Sequence, residues 1–136
     1  MGQRALAGLI AAGLLAGLVV ARGLEPASSG FGTHQQLGLP ACGWLASTGY
    51  PCPTCGFTTA FALAARGHFV LAWQAQPMAL VAAVGAACGF WVGLHVAVFG
   101  SRAGALCAKL LTPGVIWSVA LGWAVAWAWK SWTWAH

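Results

Sequence analysis

Three long apolar runs set the pattern of this chain, and the connections between them are rich in helix breakers or carry scattered charge. The first run, Ala5 to Ala21, has no charged or polar side chain and lies between Arg4 and Arg22. A helix over about 5–21 rises roughly 26 Å, which crosses a ~30 Å hydrocarbon core once the flanking arginines reach out to the headgroups. A charged start and the Val19-Val20-Ala21 end also fit a secretory leader, but the run is longer than most leader cores. The second run, Met78 to Phe99, has His95 as its one ionisable group and predicts a transmembrane helix over about 77–99. Pro77 suits its first position, where no N–H partner is lost. Thr112-Pro113 marks the start of a third helix over about 113–130.

The connection over 23–56 holds seven prolines and glycines in its last nineteen residues alone, from Gly38 to Gly56, so no long helix survives there. A shorter helical pattern follows over about 57–74, with a bend or stop at Arg66-Gly67-His68. Neither half is long enough to span. It reads as an interfacial or re-entrant helix with Phe57, Phe61, Phe69 and Trp73 set among acyl chains. The fold class expected is therefore an all-α membrane protein: three transmembrane helices, a short interfacial or re-entrant helix and a long irregular cysteine-containing loop, all in one domain.

Composition supports the bilayer. Of 136 residues, 60% are hydrophobic and 5% charged, with a mean hydropathy of +0.80, far from the quarter-charged make-up of soluble domains. The net charge of +5 comes from single basic residues near the ends of apolar runs, against Glu25 alone. Nucleic-acid binding needs a clustered basic face and is not expected. A hydrolase or phosphotransferase is disfavoured too, since one carboxylate and no phosphate-cradling glycine loop leave neither general acid nor anion site. Partners expected are the lipid bilayer and a membrane protein or second copy of this chain, met through the face of Gly85, Gly89 and Gly93. Gly13 and Gly17 offer a second small-residue face. Trp117, Trp123, Trp127, Trp129, Trp132 and Trp134 crowd around Lys130 and read as an interfacial belt. Cys88 reads as a small buried hydrophobe and His95 as an interfacial histidine. Loop charge favours a cytoplasmic amino terminus, through the short connection bearing Arg102 and Lys109, which places the cysteine loop on the other side.

The chemistry concentrates in Pro51-Cys52-Pro53-Thr54-Cys55-Gly56, with Cys42 ten residues upstream of the first thiol. Two intervening residues let both sulfurs face one point, proline stiffens the turn, and glycine frees the backbone behind it. Cys42, Cys52 and Cys55 are thus candidate ligands of a structural zinc, the one cofactor expected, with His34 the best-placed fourth donor. In an oxidising compartment the same thiols would pair as a disulfide with one left over. A dithiol redox pair is the alternative, with Cys52 as nucleophile, Cys55 resolving and Cys42 as relay.

The order Pro40-x-Cys42, Thr48-Gly49-x-Pro51-Cys52-Pro53-x-Cys55-Gly56-x-Thr58-Thr59-Ala60, then Leu63, Arg66-Gly67-His68, Ala72 and Gln76-Pro77 resembles the DUF2752 family, small bacterial membrane proteins of uncharacterised function. Members commonly carry Thr-Arg-Ala where this chain has Thr58-Thr59-Ala60, and Asn-Pro at Gln76-Pro77. The resemblance implies an integral protein of a bacterial inner membrane with a three-cysteine loop, and it supplies no reaction. The functional expectation is a clasp, by metal or disulfide, in a non-catalytic subunit or docking component. A membrane thiol–disulfide oxidoreductase and a transport or channel accessory subunit are the alternatives.

Overall fold

The computed structural model describes residues 2–110 and 112–134, and all side chains among them except those of 106–108 and 110, so that the Cys107 thiol lies outside it. Seven α-helices and one 3-10 turn follow one another, with no strand among the described residues. They are α1 (Gly2–Gly23), the turn Thr33–Leu37, α2 (Gly43–Thr48), α3 (Phe57–Ala65), α4 (Phe69–Ala75), α5 (Pro77–Phe99), α6 (Ala103–Leu110) and α7 (Pro113–Trp134).

Helices α1 and α5 run antiparallel in close contact, because small residues face each other along the seam. A Cβ placed on Gly93 would lie 3.1 Å from both the Ala11 Cβ and the Ala7 carbonyl oxygen, and one on Gly89 would lie 3.0 Å from Leu14. At Gly8 the neighbour is Ala97. Two of the three α5 glycines therefore receive α1 of the same chain, while Gly85 meets nothing within 4 Å. Arg4 locks the end of the pair by donating to the carbonyls of Ala97 at 2.9 Å and Val98 at 2.7 Å. A cation there complements the negative end of α5.

Among the described residues, α1 and α5 are the two helices long and apolar enough to cross a membrane. Helix α7 matches them in length at 22 residues, but its tryptophans, serines and Lys130 make it less hydropathic. Near the start of α5, Gly122 of α7 faces Met78. The far end of α7 reaches Phe31 through Trp134, their ring centroids 5.0 Å apart.

Helix α3 packs against both α1 and α5, and α4 against α3 and α5. Alanines make this possible: Ala60, Ala64, Ala72, Ala75, Ala79 and Ala83 form one buried cluster drawn from α3, α4 and α5. The chain reverses at Arg66-Gly67-His68, where Gly67 takes φ 83° and His68 N–H returns to the Leu63 carbonyl at 3.0 Å. This is the left-handed exit that glycine allows. The expected insertion of four aromatic residues among acyl chains divides in two. Phe57 and Phe61 lie against the alanine cluster, whereas Phe69 and Trp73 are more than half exposed. Cys88, expected to be buried, is exposed on α5.

Gly93→Leu is expected to force α1 off α5, because the new side chain meets backbone on a buried seam. The loss should be at least about 2 kcal/mol, read as a lowered unfolding midpoint in detergent. An unchanged midpoint would contradict the seam.

Candidate functional site

The cysteine hook is built on an imbalance of donors and acceptors. Pro51 and Pro53 have no N–H, so this strand of chain offers carbonyls with few donors of its own. Tryptophan and lysine side chains are the reverse, donors without acceptor capacity. Helix α7 presents three of them at i, i+4 and i+7, hence on one face. The Trp127 indole N–H donates to the Pro51 carbonyl at 2.9 Å and the Trp123 indole N–H to the Pro53 carbonyl at 2.9 Å. Lys130 Nζ donates to the Cys55 carbonyl at 2.9 Å. Three alternate carbonyls of the hook, those of Pro51, Pro53 and Cys55, thus each meet a donor from this one helical face. Gln76 Nε2 adds a second donor to Pro53 at 3.0 Å. Lys130 also takes the Ala75 carbonyl at the end of α4, at 2.5 Å, where a helix's negative pole favours a cation.

This corrects the reading of the tryptophan belt. Trp123, Trp127 and Lys130 turn inward to the hook, and Lys130 is only 8% exposed. Trp117 and Trp132 keep an outward position.

Gly56 sits beneath Lys130 at φ 83°. A Cβ there would lie 2.6 Å from Lys130 Nζ, 2.7 Å from the Gly30 carbonyl oxygen and 2.9 Å from the Ala75 carbonyl oxygen. Only glycine fits both the torsion and the space.

The connector before the hook is tied down by other polar contacts. Thr33 and Thr59 share a buried hydroxyl hydrogen bond of 2.7 Å, and the Ala27 N–H donates to Thr33 Oγ1 at 3.0 Å. Gln36 pairs reciprocally with the backbone of Glu25, accepting at 3.0 Å and donating at 2.6 Å. The Glu25 carboxylate takes Arg66 at 2.9 Å. That arginine, one of the single basic residues near the ends of apolar runs, is here an ion-pair partner.

With the backbone held, the sulfurs are left to the interior of a cavity of about 590 Å³. Cys42, Cys52, Cys55 and His34 all line it, and Phe57 and Trp123 form part of its wall. Those two rings are nearly parallel, 14° apart in plane with centroids at 5.7 Å. The structure thus brings every sequence-predicted site residue to one cavity. The thiols of Cys42, Cys52 and Cys55 are free, so the expected disulfide is not formed. Among the described residues no group of three or more His, Cys, Asp or Glu side chains stands close enough to hold a metal ion. His34 Nε2 lies 3.1 Å from the Pro40 carbonyl oxygen. His95, at the far end of α5, pairs with Ser101 Oγ at 2.8 Å.

The two hook thiols differ electrostatically. Burial works against ionisation of Cys52, yet hydrogen bonds from the Thr54 hydroxyl, the Cys42 thiol and nearby backbone outweigh it and hold that thiol below its ordinary range. Its sulfur lies 3.4 Å from Thr54 Oγ1. Cys55 is 6% exposed, and burial pushes its thiol up, the Lys130 ammonium opposing without prevailing.

Sequence reasoning found the thiols and missed what holds them. The signal was present as three donor-only side chains on one face of α7, but a crowd of tryptophans near lysine reads equally as a membrane belt.

Compared with known proteins, residues 42–91 match the model of DUF2752, described as a protein of unknown function, which places this stretch in that family. The match begins at Cys42 and ends within α5, so it takes in the hook, α3 and α4. No curated protein and no solved structure matches the chain.

Gly56→Ala is expected to cost about 3 kcal/mol or more, from the left-handed torsion and the backbone contacts together. Trp127→Phe should cost about 1–3 kcal/mol, because the buried Pro51 carbonyl loses its donor. Thermal unfolding in detergent measures both, and a neutral Trp127→Phe would show that the ladder carries no stability.

Proposed function

We propose that the DUF2752 segment of this chain presents Cys52 and Cys55 as a membrane-held dithiol for thiol–disulfide exchange, with Cys42 as the thiol that steadies the nucleophile. The observation that carries this reading is the division between the two hook sulfurs. Cys52 is partly accessible on the cavity wall and its thiol is held below its ordinary range, whereas Cys55, three residues on, is buried and its thiol is pushed above it. An attacking sulfur must be ionised, and a resolving one should wait. The Cys52 thiolate attacks one sulfur of a partner disulfide, an S–S bond forms, and the partner's other sulfur leaves as thiolate. Cys55, giving up its proton, then attacks the Cys52 sulfur. The second partner sulfur departs with the electron pair, leaving a Cys52–Cys55 disulfide here and a dithiol on the partner. The reverse sequence hands the disulfide on.

The hydrogen-bonded fastening of the hook moves the reading away from a purely structural clasp, since Trp123, Trp127, Lys130 and Gln76 order the loop without its sulfurs. A zinc clasp remains the second reading, supported by three thiols and His34 on one cavity.

The same reading has α1 and α5 crossing the bilayer. The first half of α7 is the third segment in lipid, its Ile116, Trp117 and Leu121 each more than half exposed. Orientation follows from the charges left unpaired. At the loop end Arg66 is paired with Glu25 and Lys130 is buried, leaving Arg22 exposed there, whereas Arg102 and Lys109 remain exposed near the other end of α5, on the same side as Arg4. Positive charge then favours a cytoplasmic amino terminus and an extracytoplasmic hook.

Purified full-length protein, reduced and then treated with oxidised glutathione, is expected to yield a Cys52–Cys55 disulfide by peptide mapping. Cys55→Ser should instead accumulate glutathione on Cys52. Alkylation of Cys52 should rise with pH at a midpoint below that of an ordinary thiol, and that of Cys55 above it. Recovery of about one tightly bound zinc per chain with all three thiols protected would overturn exchange in favour of the clasp.

A further inference from the structure

We infer that the cavity beside Cys52 admits the ring of a lipid-soluble quinone, which takes the electron pair and both protons of the Cys52/Cys55 dithiol. This rests on the exchange reading and gives it a direction: the protein makes disulfides and passes them on.

The cavity's size and walls select the ligand class. About 590 Å³ lies within the ~300–1,000 Å³ of small-molecule sites. The nearly parallel rings of Phe57 and Trp123 line it together with Phe31 and Leu45, and a flat conjugated ring finds stacking and apolar contact there. Among the described residues no Asp, Glu, Lys or Arg lines it, which favours an uncharged ligand over an anion or a peptide carboxylate. Thr54 and Gln35 are polar members of the lining, suited to ring oxygens.

Access comes from the membrane side of the loop. Leu37, Leu39, Trp44 and Tyr50 are each about half exposed on the connector that borders the cavity, a greasy surface of the kind that rests among headgroups and acyl chains. A ligand dissolved in the bilayer meets apolar side chains along that path.

The chemistry balances without further reagents. The Cys52 thiolate adds to a ring carbon of the quinone, forming a C–S bond and moving an electron pair onto a ring oxygen, which takes up a proton. Cys55 loses its proton and attacks the Cys52 sulfur. The S–S bond forms, the C–S bond breaks, and its pair returns to the ring, whose second oxygen takes the remaining proton. Dithiol and quinone become disulfide and hydroquinone. Cys52 is suited to the first step because it is the partly exposed thiol on the cavity wall, and Cys55 to the second because it lies buried three residues away on the same cavity.

The test uses reduced full-length protein in detergent under nitrogen, with decylubiquinone as probe. Hydroquinone should appear in step with loss of the Cys52 and Cys55 thiols. Cys55→Ser should retain a quinone mass on Cys52, and Ala46→Trp, which fills the cavity, should weaken the apparent affinity at least about tenfold. If oxidised glutathione forms the Cys52–Cys55 disulfide while the quinone is neither reduced nor attached, the quinone inference is overturned and exchange stands. If neither oxidant forms that disulfide, both fall.

Discussion

A run of backbone with carbonyls to offer and few N–H groups beside them must find donors elsewhere, and here helix α7 supplies them. Pro51 and Pro53 create the surplus of acceptors, and Trp123, Trp127 and Lys130 answer it from one helical face. Buried carbonyls left unpaired would each cost on the order of 1–3 kcal/mol, so the ladder and the hook specify one another. The rest of the site depends on this match. It fixes the turn without recruiting a sulfur, and it places Lys130 over Gly56, where any side chain would collide.

The scaffold beneath is correspondingly plain. Alanine and glycine let α1, α3, α4 and α5 approach closely, and the alanine cluster gives the broken α3–α4 pair something to lie on. Close approach of small residues is how helices cohere where lipid removes the hydrophobic drive between them. The breaks fall where the sequence has glycine or proline, at Gly67 and before Pro77.

Much of the fold was legible because its signals are local. Long apolar runs at Ala5–Ala21 and Met78–Phe99 became α1 and α5, the two helices fit to cross a membrane, and breaker density correctly kept long helices out of the connector. The third run was harder, since tryptophan is ambivalent: an amphipathic ring suits a lipid interface and a buried hydrogen bond equally. The thiols and His34 were legible as a set because their residue types and spacing carry the chemistry. What fastened them was not, because Trp123 bonds a residue 70 positions away and nothing in a linear pattern announces such a pairing. Arg66 misled for the same reason. Its partner Glu25 is 41 positions distant, so it looked like an unpaired flank.

The same separation sets an order of events during biogenesis. The hook's thiols leave the ribosome well before the rungs that will hold them, and a gap of 70 residues corresponds to roughly 4–14 s of synthesis at ~5–20 residues per second. Throughout that interval the nascent segment lacks the α7 donors that fasten its carbonyls, although the Thr54 and Cys42 partners of Cys52 are already on the chain. The hook is therefore fastened late, when the trailing helix arrives, and a chain stalled short of Trp123 would leave the carbonyls of Pro51 and Pro53 without their donors.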